Sequence, residues 1–263
     1  METTTLLIVV ALVFLTGFLF APLGLGGGLL FVPILHYVAD LEITPSTLLI
    51  SLALTAMTSF GSGLAHRSEG LWDVSAIRKA LGGAIPGAVI GVLIVTLIGK
   101  DLNFVFKALA MLLIIWAVTK MIRRIRGLGR KESETKPDDL RLRSGAGLGG
   151  MLCAILAMGS GAIYVPAYRT YAGLSHRQAV GSSYATMMVV IPVAFITHAI
   201  LLEDAFPPAI LLLTLPIAVL LGARTGAKIG MRLSDRTVMV VFCLVLSFVL
   251  VRYLIDTYQT LTV

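Results

Sequence analysis

Two glycine-bearing runs, each with a proline at the same offset, are the parts of this sequence best suited to chemistry. They read Gly26-Gly27-Gly28-Leu29-Leu30-Phe31-Val32-Pro33 and Gly159-Ser160-Gly161-Ala162-Ile163-Tyr164-Val165-Pro166. Each precedes an apolar segment of only about a dozen residues, 28–39 and 161–172. A helix rises ~1.5 Å per residue and a hydrocarbon core is ~30 Å thick, so such a segment reaches about halfway. A chain that breaks a helix at that depth needs backbone conformations that a Cβ hinders, and glycine supplies them. The helix that restarts there opens with amides that lack an intrahelical acceptor and carry the positive end of the helix dipole. Gly27, Gly28 and Leu29, and likewise Ser160, Gly161 and Ala162, are thereby placed to offer donors to an anion.

Hydroxyls can complete such a site. Ser160 lies in the second run itself, Ser182, Ser183 and Tyr184 follow the second short segment, and Ser51 is the first-half counterpart. These are donors without opposing charge, which suits an oxyanion that must bind and then leave. All 14 acidic residues, Asp256 included, fall in termini or expected loops, so a carboxylate proton relay has no candidate. Protons could enter through His66 or His198, which fall opposite each other when one loop residue is dropped, and which would suit two gates. The plainer alternative, histidines bonded to nearby carbonyls, is preferred. Arg169, about two turns into the second short segment, either draws anions to a cytoplasmic mouth or snorkels to the interface. No metal-ligating or catalytic constellation is present and no cofactor is expected. Cys153 and Cys243 lie in apolar runs, where packing is their reading.

Composition dictates the elements that must position these residues. With 57% hydrophobic and 13% charged residues and a mean hydropathy of +0.95, the chain carries more apolar surface than a soluble core of 263 residues can hide. A lipid bilayer is the solvent that fits. The net charge of +7 does not point to nucleic acid, because nine of the 21 basic residues lie between Lys120 and Arg143, a membrane-flanking pattern. The first residues lack the basic region of a secretory signal and are expected to form a retained membrane segment. Apolar runs predict segments at 5–23, 28–39, 45–66, 74–99, 102–122, 144–158, 161–172, 178–201, 206–230 and 235–256.

The basic stretch sets the orientation, placing 120–143 in the cytoplasm. Counting outward, the loop after the first short segment lies outside and the loop after the second lies inside, so the two halves are inverted. Repeated glycines support the duplication: Gly87 and Gly91 match Gly222 and Gly226, with small residues four apart suited to close helix packing. The expected fold is an all-α polytopic membrane protein of two inverted-topology repeats. Each repeat holds a Gly-broken hairpin with a short half-helix and three transmembrane helices. Its divisions are a first repeat over 1–122, a basic cytoplasmic linker over 123–143 and a second repeat over 144–263.

The stretches GLGGGLLFVP, GSGAIYVP and AVGSSYATM, with His66-Arg67-Ser68-Glu69-Gly70-Leu71-Trp72-Asp73, resemble the TauE/SafE sulfite-exporter family of anion permeases over nearly the whole chain. The chain departs from that family's pattern at Ile50-Ser51, where Thr-Ser is preferred, and at Gly159-Ser160-Gly161, where three glycines are usual. The resemblance implies secondary transport of sulfite, sulfoacetate or related organosulfonates across a bacterial cytoplasmic membrane. A passive anion channel is the alternative, and a membrane-embedded lipid-pyrophosphate phosphatase a weaker one, since the glycine runs lack the carboxylates and arginine such an enzyme needs. The expected partners are a small anion and the bilayer; exposed membrane faces also permit a homodimer.

Overall fold

The computed structural model describes residues 2–21, 27–126, 137–201, 206–230 and 235–262, and every element among them is helical. The order is α1 (Thr3–Phe20), α2 (Gly28–Tyr37), α3 (Pro45–Ser68), α4 (Val74–Ile98), α5 (Leu102–Ile125), α6 (Asp139–Ile155), α7 (Gly161–Tyr171), α8 (His176–Leu201), α9 (Ala209–Gly230) and α10 (Asp235–Thr262), with a 3-10 turn at Gly99–Asp101. Gly26, Glu203 and Asp204 lie outside the described residues, as does the middle of the basic linker.

The starts of these helices divide by chemistry. Thr44, Asp73 and Asp138 each accept an amide of the first turn of α3, α4 and α6, and Pro45 occupies a position where its missing N–H costs nothing. The two short helices differ: neither Gly27 before α2 nor Ser160 before α7 supplies a side chain to the first turn. At 10 and 11 residues these helices are about 15 Å long, half a hydrocarbon core.

Among the described residues, five stretches are long and apolar enough to cross a membrane: α1, α3, the α4–α5 run, α8 and α9. Large apolar side chains cover the outer surface, with Leu97 86% and Ile200 76% exposed. Water penalises such a surface and lipid does not. The chain is a multi-pass membrane protein.

Packing pairs elements across the two halves. α1 lies along α9, and α6 lies along α4; α3 packs on α9, and α8 packs on α4. α2 rests on α1 and α3 as α7 rests on α6 and α8, while α3 meets α8 and α5 meets α10. Exchanging α1–α5 for α6–α10 maps each of these pairings onto another or onto itself. Glycine makes the closest approaches possible: a Cβ on Gly222 or Gly226 would lie 2.2 and 2.1 Å from the carbonyl oxygens of Phe14 and Phe18 in α1. On Gly87 and Gly91 it would lie 2.1 and 2.4 Å from those of Gly147 and Met151 in α6. Both pairs therefore do the packing work expected of small residues four apart.

Two boundaries differ from the sequence reading. α5 runs to Ile125 and α6 begins at Asp139, so both ends of the basic linker are helical. Hydropathy falls where a helix leaves lipid, whereas the helix itself stops at a cap, here Asp138.

Candidate functional site

The starts of the two short helices meet. Gly27 adopts a left-handed conformation, φ 71°, and turns the chain into α2. The next residue, Gly28, is pressed on the turn that enters α7, where an added Cβ would lie 2.3 Å from the Cα of Met158 and 2.7 Å from the amide nitrogen of Gly159. Only a residue without a side chain fits there. On the other side of the contact Ala157 is also left-handed, φ 46°, an unusual state for a residue with a Cβ.

Each turn is clasped by the opposite half. Ser51 of α3 donates its hydroxyl to the carbonyl of Ala157 at 2.7 Å. Tyr184 of α8 shares its hydroxyl between the carbonyls of Phe20 at 3.1 Å and Ala21 at 2.9 Å, at the end of α1. Both side chains are fully buried.

The donors at this junction are backbone amides. Gly28, Leu29, Gly161 and Ala162 are buried, and no acceptor among the described residues takes their N–H groups. Buried amides are nearly always paired, because an unpaired one forfeits its hydrogen bond to water. The positive end of the α2 dipole thus lies against the turn that enters α7, and a helix start with amides unpaired among the described residues favours negative charge.

The hydroxyls are mostly committed elsewhere. Ser160 donates to the carbonyl of Gly149 in α6. Ser182 accepts the amide of Asp73 at 3.0 Å, and a Cβ on neighbouring Gly181 would lie 2.5 Å from the carbonyl oxygen of Leu71. The Ala179–Ser183 stretch thus docks on the turn that follows His66, bringing together two motifs far apart in sequence. Ser183 is fully buried and its hydroxyl has no partner among the described residues.

Both histidines bond backbone carbonyls. His66 Nδ1 bonds the carbonyl of Ser62 at 2.8 Å and its ring lies 5.5 Å from that of Tyr184. His198 Nε2 bonds the carbonyl of Ala154 at 3.1 Å, in the last turn of α6. A helix that ends in the protein interior leaves carbonyls unsatisfied, and His198 meets one of them. Arg169 sits in the last turn of α7, at the other end from Gly161, and the structure does not bring it to the amide junction.

Two features escaped the sequence reading. Ser51, Thr55, Ser59, Ser62 and His66 form a buried polar stripe along α3. Thr55 and Ser59 bond carbonyls one turn back, while the Ser62 hydroxyl is unpartnered among the described residues. Spacings of three and four were the available signal. The second feature corrects the placing of Asp256 in a terminal loop. It lies within α10, 2.6 Å from the Nζ of Lys107, a lysine 5% exposed at the start of α5. Apolar composition ran out at the end of α10, but the helix continues through Thr262 and packs Asp256 inward.

Comparison with known proteins identifies the family. The family model for the sulfite exporter TauE/SafE matches residues 9–253. A Haemophilus influenzae protein described as "Probable membrane transporter protein" is 33% identical over 178 residues, which cover 64% of this chain and 64% of that protein. The match thus spans under two thirds of the relative's length. No solved structure matches the chain. With broken helices, a bilayer-facing exterior and a family match over nearly all its length, the chain belongs to the TauE/SafE sulfite exporter family of membrane transporters.

Proposed function

We propose that the protein is a secondary carrier of small sulfur-containing anions such as sulfite, sulfoacetate or related organosulfonates, held where α2 and α7 begin. The observation that carries this reading is the set of buried amides at Gly28, Leu29, Gly161 and Ala162 without an acceptor among the described residues. Amides bind an oxyanion through several short bonds yet contribute no full charge, so release stays feasible. The buried hydroxyls of Ser183 and Ser62, without partners among the described residues, are further candidate donors along a transport path.

The exchangeable pattern of helix contacts supports two repeats inserted in opposite senses, with the junction near the middle of the bilayer. In such a fold one set of contacts can open to one side as its counterpart closes, which is what a carrier needs and a pore does not. The basic 120–143 region belongs on the cytoplasmic face of a bacterial inner membrane. A homodimer is compatible with the apolar exterior.

Radiolabelled sulfoacetate and sulfite flux into proteoliposomes tests the reading. Saturable uptake that unlabelled substrate on the far side accelerates is the expected result; linear uptake without that acceleration would make the protein a channel, and no flux of either anion would remove these substrates. Gly28→Ala should lower flux at least about tenfold when compared per molecule of the fraction that remains monodisperse in detergent, because the methyl group meets the Met158 backbone.

A further inference from the structure

The far end of α2 carries a cluster of ionisable groups that the anion site does not use. One oxygen of Asp256, Oδ2, faces three side chains: Lys107 Nζ at 2.6 Å, the Tyr37 hydroxyl at 3.1 Å and His36 Nε2 at 3.4 Å. The four residues come from three elements: Lys107 from α5, His36 and Tyr37 from α2, and Asp256 from α10. Arg252 stacks over the Tyr37 ring at 5.0 Å, and the rings of Tyr37 and Tyr253 are 5.8 Å apart. The Lys107 side chain is 7% exposed, while those of Asp256 and His36 are 27% and 21% exposed, so the lysine is sheltered and the carboxylate and imidazole are partly exposed.

The two contacts of His36 fix what its ring must carry. Nδ1 lies 2.9 Å from the carbonyl oxygen of Leu41, which can only accept, so Nδ1 bears a hydrogen. In a neutral ring Nε2 then presents a lone pair to the carboxylate oxygen of Asp256, an acceptor facing an acceptor. Both contacts are satisfied together only when Nε2 is protonated as well. The position is suited to a cation, since His36 lies in the last turn of α2 where carbonyl dipoles converge. Lys107 and Arg252 are the opposing charges in the cluster. α1 and α3 also pack on α2, but their ionisable groups, Glu2, His66 and Arg67, make no hydrogen bond or ion pair with His36.

We propose that His36 and Asp256 form a proton-operated latch: a proton on His36 Nε2 adds a second bond to Asp256 beside that of the Tyr37 hydroxyl and tightens the far end of α2 on α10 and α5, and loss of that proton leaves the Tyr37 contacts alone and loosens it. Because α2 is a short helix whose first residues supply half of the anion junction, tightening or loosening its other end changes how that junction can move. This consequence for flux rests on the carrier reading; the latch itself does not.

Two measurements on the intact protein separate the two. Hydrogen exchange of the 34–41 backbone, corrected for intrinsic rates, should show about threefold or greater protection at pH 6 over pH 8 in the wild type. H36Q should erase the difference. Sulfoacetate flux in proteoliposomes, with equal pH inside and out, should vary over the same range in the wild type and be flat in H36Q; sulfoacetate stays ionised throughout, so the response cannot come from the probe. Wild-type protection that is independent of pH, or a pH dependence that survives in H36Q, overturns the latch. Protection that behaves as expected, with no sulfoacetate flux in either protein, upholds the latch and overturns the substrate reading. D256N supplies a second check: its amide can accept from a protonated Nε2 or donate to a neutral one, so both states of His36 are bonded and the difference in protection should also disappear.

Discussion

Ala157 keeps a left-handed backbone that glycine would adopt without penalty, and Ser51 from the other half holds its carbonyl. The two effects oppose each other and can be separated. Ala157→Gly removes a cost of roughly 1 kcal/mol per left-handed residue and should raise the thermal midpoint in detergent. Ser51→Ala leaves a fully buried carbonyl without its partner and should lower the midpoint, by about 1–3 kcal/mol of stability. A midpoint unchanged by Ser51→Ala would mean that the clasp contributes nothing to holding the turn. At this scale the sequence pointed to backbone amides at the starts of α2 and α7 and said little about which hydroxyls were available. A glycine run before a segment too short to span announces where free N–H groups must be. Whether Ser160 offers its hydroxyl to an anion or to Gly149 depends on a rotamer and on a neighbour eleven positions back.

Helix pairs carry the next level of organisation. Gly222→Ala and Gly226→Ala each set a methyl group against a carbonyl oxygen of α1, at 2.2 and 2.1 Å, and neither backbone can yield without parting α1 from α9. Each substitution should cost about 1–3 kcal/mol, read as a lower thermal midpoint or lost monodispersity. Gly145→Ala is the control: its nearest neighbour would be the Ala167 Cβ at 3.5 Å, an ordinary contact, and no change is expected. The segments were readable from length and apolarity, and the packing role of these glycines from their spacing. Their partners were not, because a bare glycine face is complementary to almost any helix backbone. The Lys107–Asp256 pair was hidden for a related reason: two charges at the margins of apolar runs look like loop residues until the helices that carry them are brought together.

For the whole molecule, the exchange of contacts between α1–α5 and α6–α10 leads to a topological expectation. Reporter fusions at the two termini should both report the non-cytoplasmic side, and a reporter inserted at 127–136 the cytoplasmic side. A cytoplasmic amino terminus would break the opposite orientation of the halves. The same exchange of partners bears on how the chain is made. α1 ends at Phe20 and its main companion, α9, begins at Ala209. Roughly 190 residues must leave the ribosome in between, about 10–40 s at ~5–20 residues per second. Throughout that interval the face of α1 that α9 covers has only lipid or a cellular insertase against it, and the end of α1 waits for Tyr184. The first repeat therefore cannot mature as it emerges, and its final structure is set by the last third of the chain to be synthesised.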